Sequence, residues 1–155
     1  MKKNTLMPDI SPDMHDFLQL LLKHNVQFAL CGGFAVTYYG FIRTTMDIDI
    51  LIYPTAPNAD VLMQALTEFG FGNAGIDTSI FEQPGAVVTL GAQPNQIDLL
   101  TSMSSEPLDA IFATCKMADI WGMKIPVVSR ESLMRAKQES ARPKDLIDLD
   151  ELNNL

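Results

Sequence analysis

The chain has 155 residues, 47% of them apolar and 19% charged, with a net charge of −8. That suits one globular domain with a proper core, leaves too little chain for two, and argues against disorder. The acidic balance excludes a general nucleic-acid coating role, and no apolar run approaches the roughly 20 residues of a membrane helix.

Met1-Lys2-Lys3 is basic like a signal start, but residues 4–11 supply no apolar stretch after it, so the cytoplasm is the expected compartment. Ser11-Pro12-Asp13 reads as a helix start: an N-cap, a proline at the first helical position and an acid in the positive first turn. Met14, Phe17, Leu18, Leu21 and Leu22 then recur at helical spacing as far as about Lys23, with His15 and His24 off the stripe and expected to be exposed. Residues 26–31 form a short apolar strand candidate that runs into Gly32-Gly33, and 34–39 fit a short helix ended by Gly40. A continuous strand is expected over 46–53, closed by Pro54 and Pro57, and a helix over 58–69 with Val61, Leu62, Ala65, Leu66 and Phe69 inward. Three strands are expected over 77–82, 86–90 and 96–101, joined at Pro84-Gly85 and at Gln93-Pro94-Asn95. Residues 108–115 fit helix or strand equally. Residues 117–128 read as a hairpin turning at Gly122, Ser129 as the N-cap of a helix through Glu139, and Pro143 as the start of a last helix with Leu146, Leu149 and Leu152 inward.

The chemistry concentrates between Gly32 and Ile50. A glycine pair ends an apolar strand, thirteen residues intervene, and Asp47-Ile48-Asp49-Ile50 follows. The period of two along a strand puts both aspartates on one face. Two anions so close repel each other, and a divalent cation is what makes the pair useful. Glycines at a strand-to-helix junction let backbone N–H groups approach a ligand, and a helix N-terminus there favours phosphate. Two metal ions roughly 3.5–4 Å apart usually need a third carboxylate. Asp98 is the best candidate, because Ile97-Asp98-Leu99-Leu100 is an apolar strand in which an unpaired carboxylate is costly. Asp77 and Glu82 stand beside turns open to solvent, and a salt bridge from Asp98 to Arg43 or to a C-terminal lysine is the alternative. Residues 44–115 contain no Lys or Arg and nine Asp or Glu, whereas six of the eleven basic residues fall within 124–144. That split suits metal plus polyphosphate, and solvated helices with surface lysines explain it equally. Cys31 and Cys115 make neither a disulfide framework nor a metal-ligand spacing and read as buried thiols.

Gly32-Gly33, the spacer, Asp47-Ile48-Asp49-Ile50 and the later Asp98 resemble the nucleotidyltransferase superfamily of DNA polymerase beta type. Tyr39-Gly40, Arg43-Thr44-Thr45 and the C-terminal run Val127-Val128-Ser129, Leu133, Lys137, Arg142-Pro143-Lys144-Asp145 and Leu149 are similar to its small bacterial members, related to the nucleotidyltransferase toxins of abortive-infection systems. The resemblance implies an α/β (α+β) fold, a mixed β-sheet flanked by helices. It spans nearly the whole chain, and residues 1–155 are expected to form a single domain with C-terminal helices over 129–155 packed on it. It further implies that Gly32 and Gly33 hold the triphosphate of a nucleoside triphosphate, and that Asp47, Asp49 and Asp98 hold Mg²⁺, with Mn²⁺ the alternative. A hydroxyl acceptor would attack the α-phosphorus, pyrophosphate would leave, and Asp98 could take the proton.

Arg43 either touches the β- or γ-phosphate or ties the Asp loop to a neighbouring carboxylate, the second being favoured. Thr45 either orients Asp47 through its hydroxyl or merely suits a strand start. Lys137 and Lys144 either reach the triphosphate or pair with Glu139, Asp145 or Asp148. Barely fifty residues follow Thr101, leaving no room for a separate base-recognition domain, so a homo-oligomer or a toxin or antitoxin mate is expected to complete the site. The acidic surface admits nucleic acid only as an end acceptor. The contrasting reading is an antitoxin-like or regulatory binding module on the same fold, and the plainest is a nucleotide-sensing domain without transfer chemistry.

Overall fold

The structure is a computed structural model that describes residues 7–155; the basic start Met1-Lys2-Lys3 lies outside the described residues. Helix α1 (Pro12–Lys23) begins as the cap chemistry dictates, with Ser11 Oγ accepting from the Met14 N–H at 3.2 Å. It buries Met14, Phe17, Leu18 and Leu21. Each such side chain contributes about 1.5–3 kcal/mol of transfer free energy. The histidines differ from expectation. His15 bonds the Trp121 carbonyl at 3.0 Å and His24 lies 2.9 Å from Glu68, so both are half-buried.

Strand β1 (Phe28–Cys31) is buried throughout and runs into α2 (Gly32–Tyr38), which starts on the glycine pair itself rather than after it. Strand β2 (Asp47–Ile52) shows the expected alternation: Ile48 and Ile50 are fully buried, while Asp47 and Asp49 on the other face are half-buried. Helix α3 (Ala56–Leu66) is capped by Thr55, and a π turn (Thr67–Phe71) follows it with Gly70 at φ 109°. The helix expected over 58–69 is therefore α-helical from Ala56 to Leu66 and passes into the π turn at Thr67, with the non-helical glycine just beyond its expected end.

The strand expected over 77–82 is instead a 3₁₀ turn, Thr78–Glu82. Asp77 accepts from the Ser79 N–H at 3.0 Å, a local bond that competes with strand pairing, and Phe81 is the one residue of the turn that is fully buried. Strands β3 (Val87–Leu90) and β4 (Gln96–Leu100) fall where expected, and the ambiguous stretch becomes α4 (Leu108–Ala113). Strands β5 (Lys116–Ile120) and β6 (Met123–Val127) make the hairpin at Gly122, and α5 (Arg130–Ser140) is capped by Ser129. Helix α6 (Pro143–Asn153) corrects the sequence reading most sharply. Leu152 is fully buried as expected and Leu149 half-buried, but Leu146 is exposed, and the other fully buried positions are Asp145 and Asp148.

The sheet runs β3-β4-β2-β1-β6-β5. Strands β2 and β4 are parallel, as are β1 and β6, and the other pairs are antiparallel. Helix α1 packs on α3, while α2 packs on α5 and α5 on α6. Among the described residues no helix is long and apolar enough to cross a membrane.

Candidate active site

The parallel register between β2 and β4 sets Asp49 directly beside Asp98 and Asp47 beside Gln96. One oxygen from each of Asp47, Asp49 and Asp98 lies within 4.8 Å of the other two. Asp98 is 8% exposed and is held from two sides. Thr89, its cross-strand neighbour on β3, donates at 2.7 Å, and Gln96, two residues earlier on the same face, donates to both oxygens at 3.1 Å. The salt bridge weighed as an alternative for Asp98 does not form among the described residues. Asp77 and Glu82 stand apart from this group.

Crowding shows in the electrostatics. Burial first, then the charges of Asp47 and Asp98, push the Asp49 carboxyl up to about 7. Asp47 is also raised, by burial and by the neighbouring Asp98 carboxylate, against the pull of Lys144 and Arg43. Three converging, partly desolvated carboxylates with no cationic side chain paired to them among the described residues fit a hard divalent ion, which prefers carboxylate oxygen.

The glycines have a definite packing role. A Cβ on Gly32, which sits at φ +65°, would lie 1.9 Å from Asp49 Oδ2, and one on Gly33 would lie 2.2 Å from Thr45 Cγ2 and 3.1 Å from Arg43 Nη2. The turn is thus pressed against the carboxylate and the Arg43–Thr45 loop, and only residues without a side chain fit there. The N-cap of α2, Cys31, makes no side-chain cap bond, so its first-turn N–H groups have no side-chain partner at the cap. Cys31 is a buried thiol, raised well above its usual range by burial and then by Asp49; Cys115 is only half-buried, and burial lifts it to about 11.

Gly32, Gly33, Arg43, Thr45, Asp47, Asp49, Asp98 and Lys137 all line one cleft of about 580 Å³, together with Arg142 and Lys144. Arg43 pairs with Asp148 at 3.0 Å, the structural alternative for this residue. Lys137 pairs with Asp145 at 3.3 Å and Asp148 at 3.0 Å. Lys144 makes no ion pair among the described residues. The Thr45 hydroxyl is buried without a hydrogen-bond partner, so it does not orient Asp47. Asp145 is the best-satisfied carboxylate here. Burial alone would raise it, but bonds from Arg142 and Ser140 and the charge of Lys137 outweigh that and hold it well below the usual carboxylate range.

The model of the AbiEii family, described as the nucleotidyl transferase AbiEii toxin of a Type IV toxin–antitoxin system, matches residues 17–154. The chain belongs to this family. The fold agrees with solved nucleotidyltransferase structures. A Thermotoga maritima protein, TM1012, described as a candidate nucleotidyltransferase, aligns with a TM-score of 0.60 at 15% identity over 94% of this chain and 96% of its own. The lincosamide antibiotic adenylyltransferase LnuA, solved with lincomycin, gives 0.57 at 15% identity over 94% and 98%. A nucleotidyltransferase-like antigenic protein of Paracoccidioides brasiliensis gives 0.55 at 17% identity over 92% and 77%. No curated protein matches the chain significantly. Nucleotidyl transfer is therefore the activity class of this AbiEii family member.

Sequence reading missed the residues that support the carboxylate cluster. Gln96 carries a visible signal, since it stands two residues before Asp98 on one strand face. Thr89 becomes legible only once β3 is registered against β4. The pairing of Asp145 and Asp148 with Arg43 and Lys137 needs the helices packed.

Proposed function

We propose that the chain moves a nucleoside monophosphate from a nucleoside triphosphate to a hydroxyl acceptor and releases pyrophosphate. The observation that carries this reading is the convergence of Asp47, Asp49 and Asp98 within 4.8 Å in the cleft that the glycine turn also lines. Those three residues would hold Mg²⁺, or Mn²⁺ in its place. A divalent ion bound there supplies neutralisation of phosphate charge and a lowered acceptor pKa.

The chain's own groups account for the rest. Gly32 and Gly33, with the uncapped start of α2, offer backbone N–H groups to the phosphates. Arg43, Lys137 and the unpaired Lys144 supply positive charge opposite the carboxylates. The acceptor oxygen forms a bond to the α-phosphorus, the bond from that phosphorus to the bridging oxygen breaks, and pyrophosphate carries the electron pair away. Asp98, fixed by Thr89 and Gln96, accepts the acceptor's proton. Nucleoside triphosphate as donor agrees with a cytoplasmic setting.

The family description favours a second component, a protein mate in a toxin–antitoxin pair. In that setting the chain acts as the transferring partner, and the contrasting reading makes it a binding module whose carboxylates are dispensable. A nucleic-acid end, a protein side chain or a small molecule are the acceptor classes, and a second copy of the chain is another candidate partner. Incubation of the purified chain with α-labelled triphosphates, Mg²⁺ and cell lysate tests the proposal. Label should transfer with the unaltered chain and not with Asp47→Asn. Equal labelling by both, or by neither, removes the transfer reading.

A further inference from the structure

Asp148 is 1% exposed and does not line the cleft, yet both cations it touches do. Its Oδ2 lies 3.0 Å from Arg43 Nη2 and 3.0 Å from Lys137 Nζ, two charge contacts that lack hydrogen-bond alignment. Arg43 comes from the loop before β2, Lys137 from α5 and Asp148 from α6, so one oxygen ties three separate segments together. Apolar residues would secure α6 to its neighbours at least as well, because burying an ion pair is often no more stabilising than burying hydrophobic groups of similar volume. What an ion pair adds is placement. Without it Arg43 would lose its carboxylate partner and Lys137 would keep only Asp145 at 3.3 Å, so the two like charges would repel and gain rotamer freedom. Each also keeps donors in reserve, because a guanidinium carries five N–H groups and an ammonium three.

We propose that Asp148 is a positioning residue for the nucleotide's phosphates: from outside the cleft it fixes Arg43 and Lys137 side by side as a preset anion-binding pair. The inference rests on the nucleotidyl-transfer reading and gives α6 a part in that site. It also makes a prediction whose sign opposes simple electrostatics. Removing the Asp148 charge makes the cleft more positive, which by itself strengthens phosphate binding; loss of placement weakens it.

Inorganic tripolyphosphate, titrated calorimetrically into the full chain in Mg²⁺ buffer, tests this. Asp148→Asn should lower affinity at least tenfold, whereas Asp148→Glu, which keeps the carboxylate, should stay within threefold of the unaltered chain. In an Arg43→Gln/Lys137→Gln background, Asp148→Asn should change affinity by less than twofold, because the groups it acts through are gone. Unchanged or tighter binding by Asp148→Asn overturns the proposal, as does the same tenfold loss in the doubly substituted background. If Asp148→Asn does not fold, Arg43→Gln, Lys137→Gln and their combination carry the test: a preset pair gives a combined loss well below the product of the single losses, and a full product overturns it. An unaltered chain that binds neither tripolyphosphate nor any nucleoside triphosphate overturns the transfer reading, and this inference with it.

Discussion

Replacing Asp49 by Asn should make the metal-free protein more stable while destroying its use of metal. Burial and the charges of Asp47 and Asp98 push the Asp49 carboxyl from 3.8 to about 7 in the fold. Between those values the folded chain binds a proton that the unfolded chain has released, so stability falls as pH rises across the window and levels off above it. At roughly 1.4 kcal/mol per pH unit the full penalty is about 4 kcal/mol. Relaxation and the residual pull on the neighbouring carboxylates bring the realistic gain from Asn to about 2 kcal/mol. For a domain of this size that is roughly 4–8 °C in melting temperature. Calorimetric melting in EDTA should therefore show Asp49→Asn above the unaltered chain at about pH 8 and close to it near pH 4. Adding Mg²⁺ should raise the unaltered chain and leave the variant nearly unmoved, through ligand linkage. A variant that melts at or below the unaltered chain at the higher pH, or a difference that does not change with pH, would refute the crowding argument.

Three further outcomes follow from the same geometry. Thr89→Val removes the 2.7 Å hydrogen bond to Asp98 and should weaken Mn²⁺ binding roughly tenfold by calorimetry with little change in fold. Gly32→Ala should lower the urea midpoint by an amount corresponding to 2 kcal/mol or more, an order-of-magnitude value, because a Cβ there meets Asp49 Oδ2 at 1.9 Å and φ is +65°. Asp145→Asn leaves Lys137 with one carboxylate fewer in a buried setting and should cost about 3 kcal/mol near neutrality. Asp145 is held below its unfolded value, so its contribution is present above about pH 4 and fades as pH falls through the lowered folded value. The gap between this variant and the unaltered chain in urea melts should shrink on acidification.

The convergence of the three candidate carboxylates was legible because strand chemistry is local. A period of two assigns Asp47 and Asp49 to one face without reference to anything distant, and an acid inside an apolar strand marks Asp98 as costly and therefore purposeful. The glycine pair at a strand end was legible for the same reason, as were the caps at Ser11 and Ser129. The misreadings share a cause. Residues 77–82 looked like a strand, but the side chain of Asp77 bonds the backbone two residues on, and a single buried aromatic, Phe81, anchors a turn instead. On the last helix, leucine spacing points inward and Leu152 is buried, yet two of the three buried positions are the carboxylates Asp145 and Asp148. Hydrophobic periodicity detects transfer free energy and is blind to charges neutralised by residues from other segments.

Sequence alone determined which residues are candidates for the chemistry, since residue type and strand period depend only on near neighbours in the chain. Tertiary structure decided how they are held. The register that sets Asp98 beside Asp49, the approach of Gly32 to that carboxylate, and the meeting of Arg43 and Lys137 on Asp148 all join residues many positions apart. Pairings of that kind are set by packing and by cancellation of charge in three dimensions, and local propensity does not encode them.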